Sequence, residues 1–495
     1  MKRTVTLLLF TLVAEIVLAQ QWHLKYHTDD DARCVLSSGD SSGSYDYFVG
    51  NRYDDTDGCV SAVAVCVYED GSYKDRCFGQ EGRETKFTDV LGLEDGNVFV
   101  SGICSDGDST GRYVKLWVSV LNPDMEIVNE KYIELESPYV TYLNTAHLLI
   151  NDNDEMVLLT RVADYDSFQS GNGMDYCFAV FDRQCNLLRV SYLENDAPKN
   201  EITDFTIVPN TGHYAILGNG IHVSGMMNVI HVDENFRYMY MTFFDDMSDY
   251  PDLMLPIRMS VGHWCDESHF LMSAQTSETS GVNKWKPFVV KMDDDMNVLS
   301  SLDFERIDTT DYVFQNKSMS YVNPDKIYVA TFWERRPLPN EIVIYLVNDR
   351  LDLLGRKRIC VDDYFFGLHV HAATDGDCVI LGKSSIDDND VPVMYKFDSD
   401  EFEIIVDVIE AKCESDMTSF PNPASSLLCI DMDGIENVNV HVYIVDAMGR
   451  RCLDKELFLF NDMLQLDVSD MRKGTYLYDV TVNGKSVCTD KFVKN

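Results

Sequence analysis

Glu94-Asp95-Gly96-Asn97-Val98-Phe99-Val100 reads as a tight turn running directly into a β-branched and aromatic strand. A variable stretch from Ser105 to Arg112 follows, and then a second turn, Asn122-Pro123-Asp124, sits between two further apolar runs. This pair of hairpins recurs along the chain. The second turn of each pair reads Glu69-Asp70-Gly71, Asn122-Pro123-Asp124, Asp182-Arg183-Gln184, Asp233-Glu234-Asn235, Asp293-Asp294-Asp295, Asn348-Asp349-Arg350 and Asp398-Ser399-Asp400. Their starts lie 53, 60, 51, 60, 55 and 50 residues apart. The preceding hairpins turn at Asp30-Asp31, Glu94 to Asn97, Asn151 to Asp154, Pro209 to Gly212, Cys265 to Glu267, Asn323 to Asp325 and Asp375 to Asp377. Strands such as Met156 to Leu159, Phe270 to Met272, Ile327 to Ala330 and Val379 to Leu381 follow them.

Each unit therefore supplies about four strands, and no long helical periodicity competes with them. That period and strand count match the blade of a β-propeller. A lone four-stranded sheet cannot bury both faces, whereas a ring of such sheets can. The expected fold is all-β: about seven four-stranded blades over residues 21–410, then a linker at 411–419 and a small antiparallel immunoglobulin-like sandwich at 420–495. Stacked β-sandwiches, or six blades with an extra hairpin, fit the same spacing. The loops between second and third strands, including Ala163 to Asp175, Gln275 to Lys286 and Glu334 to Asn340, would gather on one rim. Trp264, Trp285 and Trp333 lie in or beside such connections, where they pad blade interfaces or stack on a ligand.

The ends carry different signals. Lys2 and Arg3 precede the apolar run Val5 to Val13, and Val17-Leu18-Ala19 offers a small-residue cleavage site before Gln20. Residues 1–19 thus read as a secretory signal peptide, with cleavage between Ala19 and Gln20. No later stretch reaches membrane-spanning length. The formal net charge is −41, yet residues 420–495 hold 11 acidic and 8 basic side chains, so the excess sits in the body. Such a field repels phosphate backbones and argues against nucleic acid as a partner. The 14 cysteines form no CxxC pair, and several, such as Cys66, Cys104, Cys177 and Cys378, sit inside apolar strands, where free buried thiols are expected.

From Phe420 the pattern changes. Pro421-Asn422-Pro423 opens the segment, an alternating strand runs from Val438 to Val445, and Asp446-Ala447-Met448-Gly449-Arg450 forms a turn. Then come Asp467-Val468-Ser469, Gly474-Thr475-Tyr476, an Asn483-Gly484 hairpin and the basic end Lys491-Phe492-Val493-Lys494. In this order these residues resemble the type A C-terminal sorting domain of type IX secretion substrates in Gram-negative bacteria. Phe420 stands where the family more often has tyrosine. The resemblance implies passage through the periplasm, recognition of the tail by the type IX outer-membrane translocon, and delivery of the body to the medium or the outer cell surface. Pro421, Asn422, Pro423, Asp446, Gly449, Arg450, Gly474, Tyr476 and Lys491 are the residues that match the motif.

Catalytic signatures are absent: there is no nucleophile elbow, HExxH, P-loop or Rossmann fingerprint. His369 and His371 alternate on one strand and point the same way without a third ligand in view. Asp293-Asp294-Asp295-Met296-Asn297 is the richest candidate for calcium, but Asp and Asn are also the residues strand turns prefer. No cofactor is expected. The body reads as a binding module for glycan or protein, with a secreted hydrolase or lyase acting on polysaccharide or peptide as the alternative. A tight constellation of two carboxylates or three metal ligands inside the central channel would exclude the first reading, and a channel lined by unrelated residues would exclude the second.

Overall fold

A computed structural model describes residues 22–26, 33–53, 60–79, 83–105, 114–135, 139–164, 174–193, 201–219, 227–244, 257–277, 285–295, 297–304, 312–313, 317–333, 340–361, 364–386, 389–404, 419–432, 438–446, 450–459, 463–469, 471–482 and 485–495. Among these residues the chain is built of strands, with a single 3-10 turn at Ser399–Glu401. Contacts divide it into two compact units, 1–404 and 405–495.

The first unit is a succession of antiparallel sheets. The first sheet holds Arg33–Ser42, Tyr45–Tyr53, Val60–Tyr68 and Tyr73–Phe78, and the second holds Thr85–Gly92, Val98–Ser105, Val114–Leu121 and Ile127–Ile133. The third runs from Tyr139–Ile150 to Leu187–Tyr192, the fourth from Glu201–Val208 to Tyr238–Phe244, and the fifth from Ile257–Trp264 to Val298–Asp303, each four-stranded and in sequence order. The sixth is wider: Tyr312–Val313 and Met319–Asn323 both pair with Lys326–Trp333, and Glu403–Ile404 adds to the far edge beside Leu353–Val361. In the last sheet Tyr364–Ala372, Cys378–Ile386 and Asn389–Phe397 are completed by Trp22–Lys25, which pairs antiparallel with Asn389–Phe397.

Two sequence expectations are corrected here. The inner hairpin of the first sheet turns at Gly43, at φ +60°, between Arg33–Ser42 and Tyr45–Tyr53, one strand beyond Asp30-Asp31. Residues 27–32 lie outside the described residues. The Asp398-Ser399-Asp400 turn leads into no fourth strand of its own sheet. The chain instead crosses to the sixth sheet, where Glu403–Ile404 pairs with Leu353–Val361.

Burial explains the succession. The second and third strands of the sheets bury side chains on both faces among the described residues, so each sheet needs a neighbour on each side. The cores lie between sheets. Tyr47, Val49 and Cys66 of the first sheet pack with Phe87, Val100 and Trp117 of the second. Further along, Phe178 and Val180 meet Ile216 and Phe236, and Leu271 and Val289 meet Val329 and Tyr345. Finally Val379, Leu381, Met394 and Trp22 of the last sheet pack on Phe48, Val63 and Val65 of the first. Consecutive sheets therefore share cores, and the last shares one with the first.

The repeated Asp/Asn turn has a specific geometry. Its first residue accepts N–H bonds from the residues two and four further on: Asp182 from Gln184 and Asn186, Asp233 from Asn235 and Arg237, Asp293 from Asp295 and Asn297, all at 2.8–3.1 Å. The fourth residue takes the left-handed conformation: Met125, Cys185 and Phe236 at φ 61° and Leu351 at φ 65°. These side chains are buried, which offsets the roughly 1 kcal/mol conformational cost. Phe236, for example, stacks on Phe178 of the preceding sheet with ring centroids 4.4 Å apart.

The second unit pairs a three-stranded sheet (Ser419–Phe420, Leu427–Asp431, Met463–Asp467) with a four-stranded one (Arg451–Leu459, Val438–Asp446, Gly474–Val482, Lys485–Lys494). Leu428, Ile430, Leu464 and Leu466 from the first sheet pack on Val440, Val442, Ile444, Tyr478, Val480 and Phe492 from the second.

Candidate functional site

The first strand of each sheet in the body is kinked by a register shift, for example between Phe87 and Asp89, Ile202 and Asp204, and Met259 and Val261. Such bulges re-aim side chains. Here the first strands, together with Lys317, which precedes Met319–Asn323, line a cavity of 250 Å³. Its wall includes Asp40, Asp204, Lys317, His263, His369 and His371.

Asp89 lies against this wall and is 3% exposed; its Oδ1 accepts from Lys317 Nζ at 3.1 Å and from Ser38 Oγ at 2.5 Å, and its Oδ2 from the Leu148 N–H at 2.9 Å. Asp40 accepts from the N–H groups of Ser41 and Gly92 at 2.9 and 2.8 Å. Asp204 accepts from those of Phe205 and Gly262 at 2.9 and 3.1 Å. Four of these bonds run from one sheet to the next. Other steps are bridged similarly: His147 bonds the backbone of Ile202, the Ala372 N–H donates to Ser320 Oγ at 3.0 Å, and His369 bonds the backbone of Ser37. A separate buried ion pair, Lys396 with Asp46 at 3.4 Å, ties the last sheet to the first.

The electrostatics follow from burial and from one central cation. Burial pushes the Asp40 and Asp204 carboxyls up to about 6, against the pull of their backbone donors and Lys317. Asp89 is held below the usual carboxylate range because Lys317, His147, Ser38 and Leu148 outweigh its own desolvation. Lys317 is raised by the three carboxylates despite burial. Desolvation lowers His147 to about 4 and His371 to about 3, so both are neutral. Neither ring nitrogen of His371 has a partner among the described residues.

His369 and His371 thus share the cavity wall, with ring centroids 5.8 Å apart. No group of three or more His, Cys, Asp or Glu able to hold a metal occurs among the described residues. The Asp293 turn directs its carboxylate at its own backbone and at Asn297. Trp264 is 2% exposed and packs against His231 and Phe270 between sheets, while the side chains of Trp285 and Trp333 and most of the variable loops lie outside the described residues. None of the ten cysteines whose side chains are described forms a disulfide. Sequence reading missed Asp40, Asp89, Asp204, His147 and Lys317. The available signal was a carboxylate within an apolar first strand, recurring at intervals of the repeat.

In the tail, motif residues far apart in sequence meet. Asn422 Oδ1 accepts from the Val493 N–H at 2.9 Å, and its Nδ2 donates to the Lys491 carbonyl at 3.2 Å. The Asn422 side chain therefore pairs with the edge strand Lys485–Lys494 as a backbone would, and Ala424 continues with a bridge to Lys494. Pro421 and Pro423 flank Asn422, and both of their peptide bonds are cis. Arg450 closes its turn on Asp446, with Nε to Oδ2 at 2.9 Å. Tyr476 is 6% exposed, stacks on Phe492 and donates to the Arg472 carbonyl at 2.8 Å. Gly474 begins the strand that contains it. Gly449, Ala19 and Gln20 lie outside the described residues.

Residues 418–495 match the family described as secretion system C-terminal sorting domain. The tail marks the chain for export by the type IX route to the cell surface or the medium. No characterised protein matches the chain in sequence. Among solved structures, the β-propeller domain of the trilobed protease from Pyrococcus furiosus is similar at 9% identity, covering 77% of this chain and 98% of that one, with a TM-score of 0.42. The Pyrococcus horikoshii acylaminoacyl peptidase aligns at 8% identity over 82% of this chain and 59% of that one, with a TM-score of 0.43. The NanB sialidase from Streptococcus pneumoniae aligns at 9% identity over 77% and 70%, with a TM-score of 0.40. Among the described residues the body is all-β, a succession of antiparallel sheets in which neighbours share cores and the last shares one with the first. No helix among the described residues is long and apolar enough to cross a membrane.

Proposed function

We propose that this is the cargo and address of one exported protein: a seven-bladed β-propeller that binds glycan or protein outside the cell without catalysis, followed by an immunoglobulin-like sorting sandwich at 420–495. In this reading signal peptidase cuts after Ala19. The linker at 411–419 separates cargo from address. The translocon reads the surface built by Pro421, Asn422, Pro423, Asp446, Gly449, Arg450, Gly474, Tyr476 and Lys491.

One observation carries the non-catalytic part. All six oxygens of Asp40, Asp89 and Asp204 already accept a hydrogen bond from the protein, and four of those bonds brace one sheet to the next. Each such donor favours the ionised carboxylate, which suits a group that receives a cation better than one that must exchange a proton with substrate. The hydrolase reading has its own support, since Asp40 and Asp204 are held near about 6, a range suited to acid–base work. The deciding experiment incubates the protein with polysaccharide and peptide panels while screening the same panels for binding. Binding without turnover is expected. Turnover lost in Asp40→Asn or Asp204→Asn would overturn the proposal. For the address, deletion of 420–495 should strand the body in the periplasm; continued surface delivery would refute it.

A further inference from the structure

The central cavity carries an imbalance of charge and of hydrogen-bonding groups. Asp40 and Asp204 line it, Asp89 stands behind it, and Lys317 is the cation facing them. Its ammonium is bonded to Asp89 at 3.1 Å, and about a third of the Lys317 side chain remains exposed, which places water or ligand beside it. Three carboxylates against one lysine leave a net charge of about −2 in a recess where screening is weak. Burial pushes the Asp40 and Asp204 carboxyls up to about 6, and the neighbouring Asp89 charge adds to the rise.

Acceptors are also in excess. A carboxylate offers about four acceptor positions. Asp40 and Asp204 each fill two of them with backbone N–H groups. His371, 6% exposed and on the same wall, is neutral and has no partner on either ring nitrogen among the described residues. The wall therefore lacks positive charge and leaves acceptor positions unfilled on Asp40, Asp204 and one His371 nitrogen. The described residues group no three metal ligands there, so a bare metal ion finds no ready shell.

We propose that this cavity binds a small organic cation through a primary ammonium group held by Asp40 and Asp204. This rests on reading the body as a binding module, and it names the ligand class of the central channel. The ammonium brings both missing elements, charge and N–H donors. Lys317 opposes a second cation at Asp89, which restricts the ammonium to the side of the cavity where Asp40 and Asp204 keep free lone pairs. An amino sugar and a lysine-like amine carry the same group, and the test separates them.

Isothermal titration of the full mature protein uses two matched pairs: glucosamine with N-acetylglucosamine, and n-butylammonium with n-butanol. The charged member of at least one pair should bind at least about tenfold more tightly than its uncharged counterpart, the equivalent of one modest charge interaction. Preference within the sugar pair alone identifies an amino sugar; preference within both identifies the ammonium as sufficient. Asp40→Asn and Asp204→Asn should each weaken the charged ligand about tenfold and leave the uncharged one unchanged. Equal affinity within both pairs, or no heat with any probe at millimolar concentration, overturns the proposal, and this wild-type comparison decides even if a variant fails to fold. Mass spectrometry of the recovered probes keeps the two readings apart. Chemical conversion of a probe would refute the non-catalytic reading and leave the cation preference standing.

Discussion

Asp89→Ala tests whether the polar cluster holds the body together. The substitution removes acceptors from Ser38 Oγ, the Leu148 N–H and Lys317 Nζ, groups drawn from the first, third and sixth sheets. Ser38 is 2% exposed, so its hydroxyl loses its partner in a dry place, and the Leu148 N–H is half-buried. Each orphaned group costs about 1–3 kcal/mol. Lys317 keeps cavity water and two other carboxylates nearby, so its ion pair adds no more than about 1 kcal/mol. The expected loss is about 3–5 kcal/mol, the range for breaking a buried pair. Asp233→Ala provides the control, since it removes two N–H bonds of 2.8 Å at an exposed turn and should cost about 1 kcal/mol. Urea denaturation can be followed by Trp117 fluorescence, because that indole stacks on Phe87 with centroids 4.6 Å apart, two residues from Asp89. A loss below about 1 kcal/mol, or one no larger than the control's, would refute the reasoning.

Stability should fall as pH drops from 7 to 5. His147, His231 and His263 are lowered to about 4 and His371 to about 3, so the unfolded chain takes up their protons first, below its ordinary histidine value, and folding is penalised. Asp40 and Asp204, raised to about 6, act oppositely between about 6 and 4 but are outnumbered; the Asp40→Asn, Asp204→Asn double variant should show a steeper thermal-midpoint decline. Asn422→Ala should destabilise the tail by about 1–2 kcal/mol through two lost bonds to Lys491 and Val493 and raise the periplasmic fraction, measured by cell fractionation. Thiol alkylation under native conditions should modify exposed Cys452 quickly and spare Cys66 and Cys177, whose thiols burial pushes up to about 12.

The repeat was legible because its turn chemistry is local. Asp182, Asp233 and Asp293 bond their own backbone, so the signal lies within five residues. The first sheet was misread because its inner turn relies on Gly43 beside serines, a weaker mark than an Asp/Asn run. The last sheet was misread because its missing strand, Trp22–Lys25, comes from the other end of the chain. The cavity was illegible for the same physical reason. Asp40, Asp89, Asp204 and Lys317 gather only through the bulges and the succession of sheets, and 228 residues separate Lys317 from its ion-pair partner. In the tail the motif order was legible, but not that Asn422 serves as a surrogate strand for Lys491 and Val493.

Trp22–Lys25 also sets a schedule. Its hydrogen-bonding partner runs to Phe397, so the first strand to emerge from the ribosome or a translocon waits for nearly the whole body before it can pair. Until then the outer edge of Asn389–Phe397 stands open, and the core of Trp22, Phe48, Val63 and Leu381 stays unfinished. Long-range closure of this kind is slow. A chain threaded through a membrane from its N-terminus therefore stays an incomplete ring for most of its passage, and completes it only on the side where its last strand arrives.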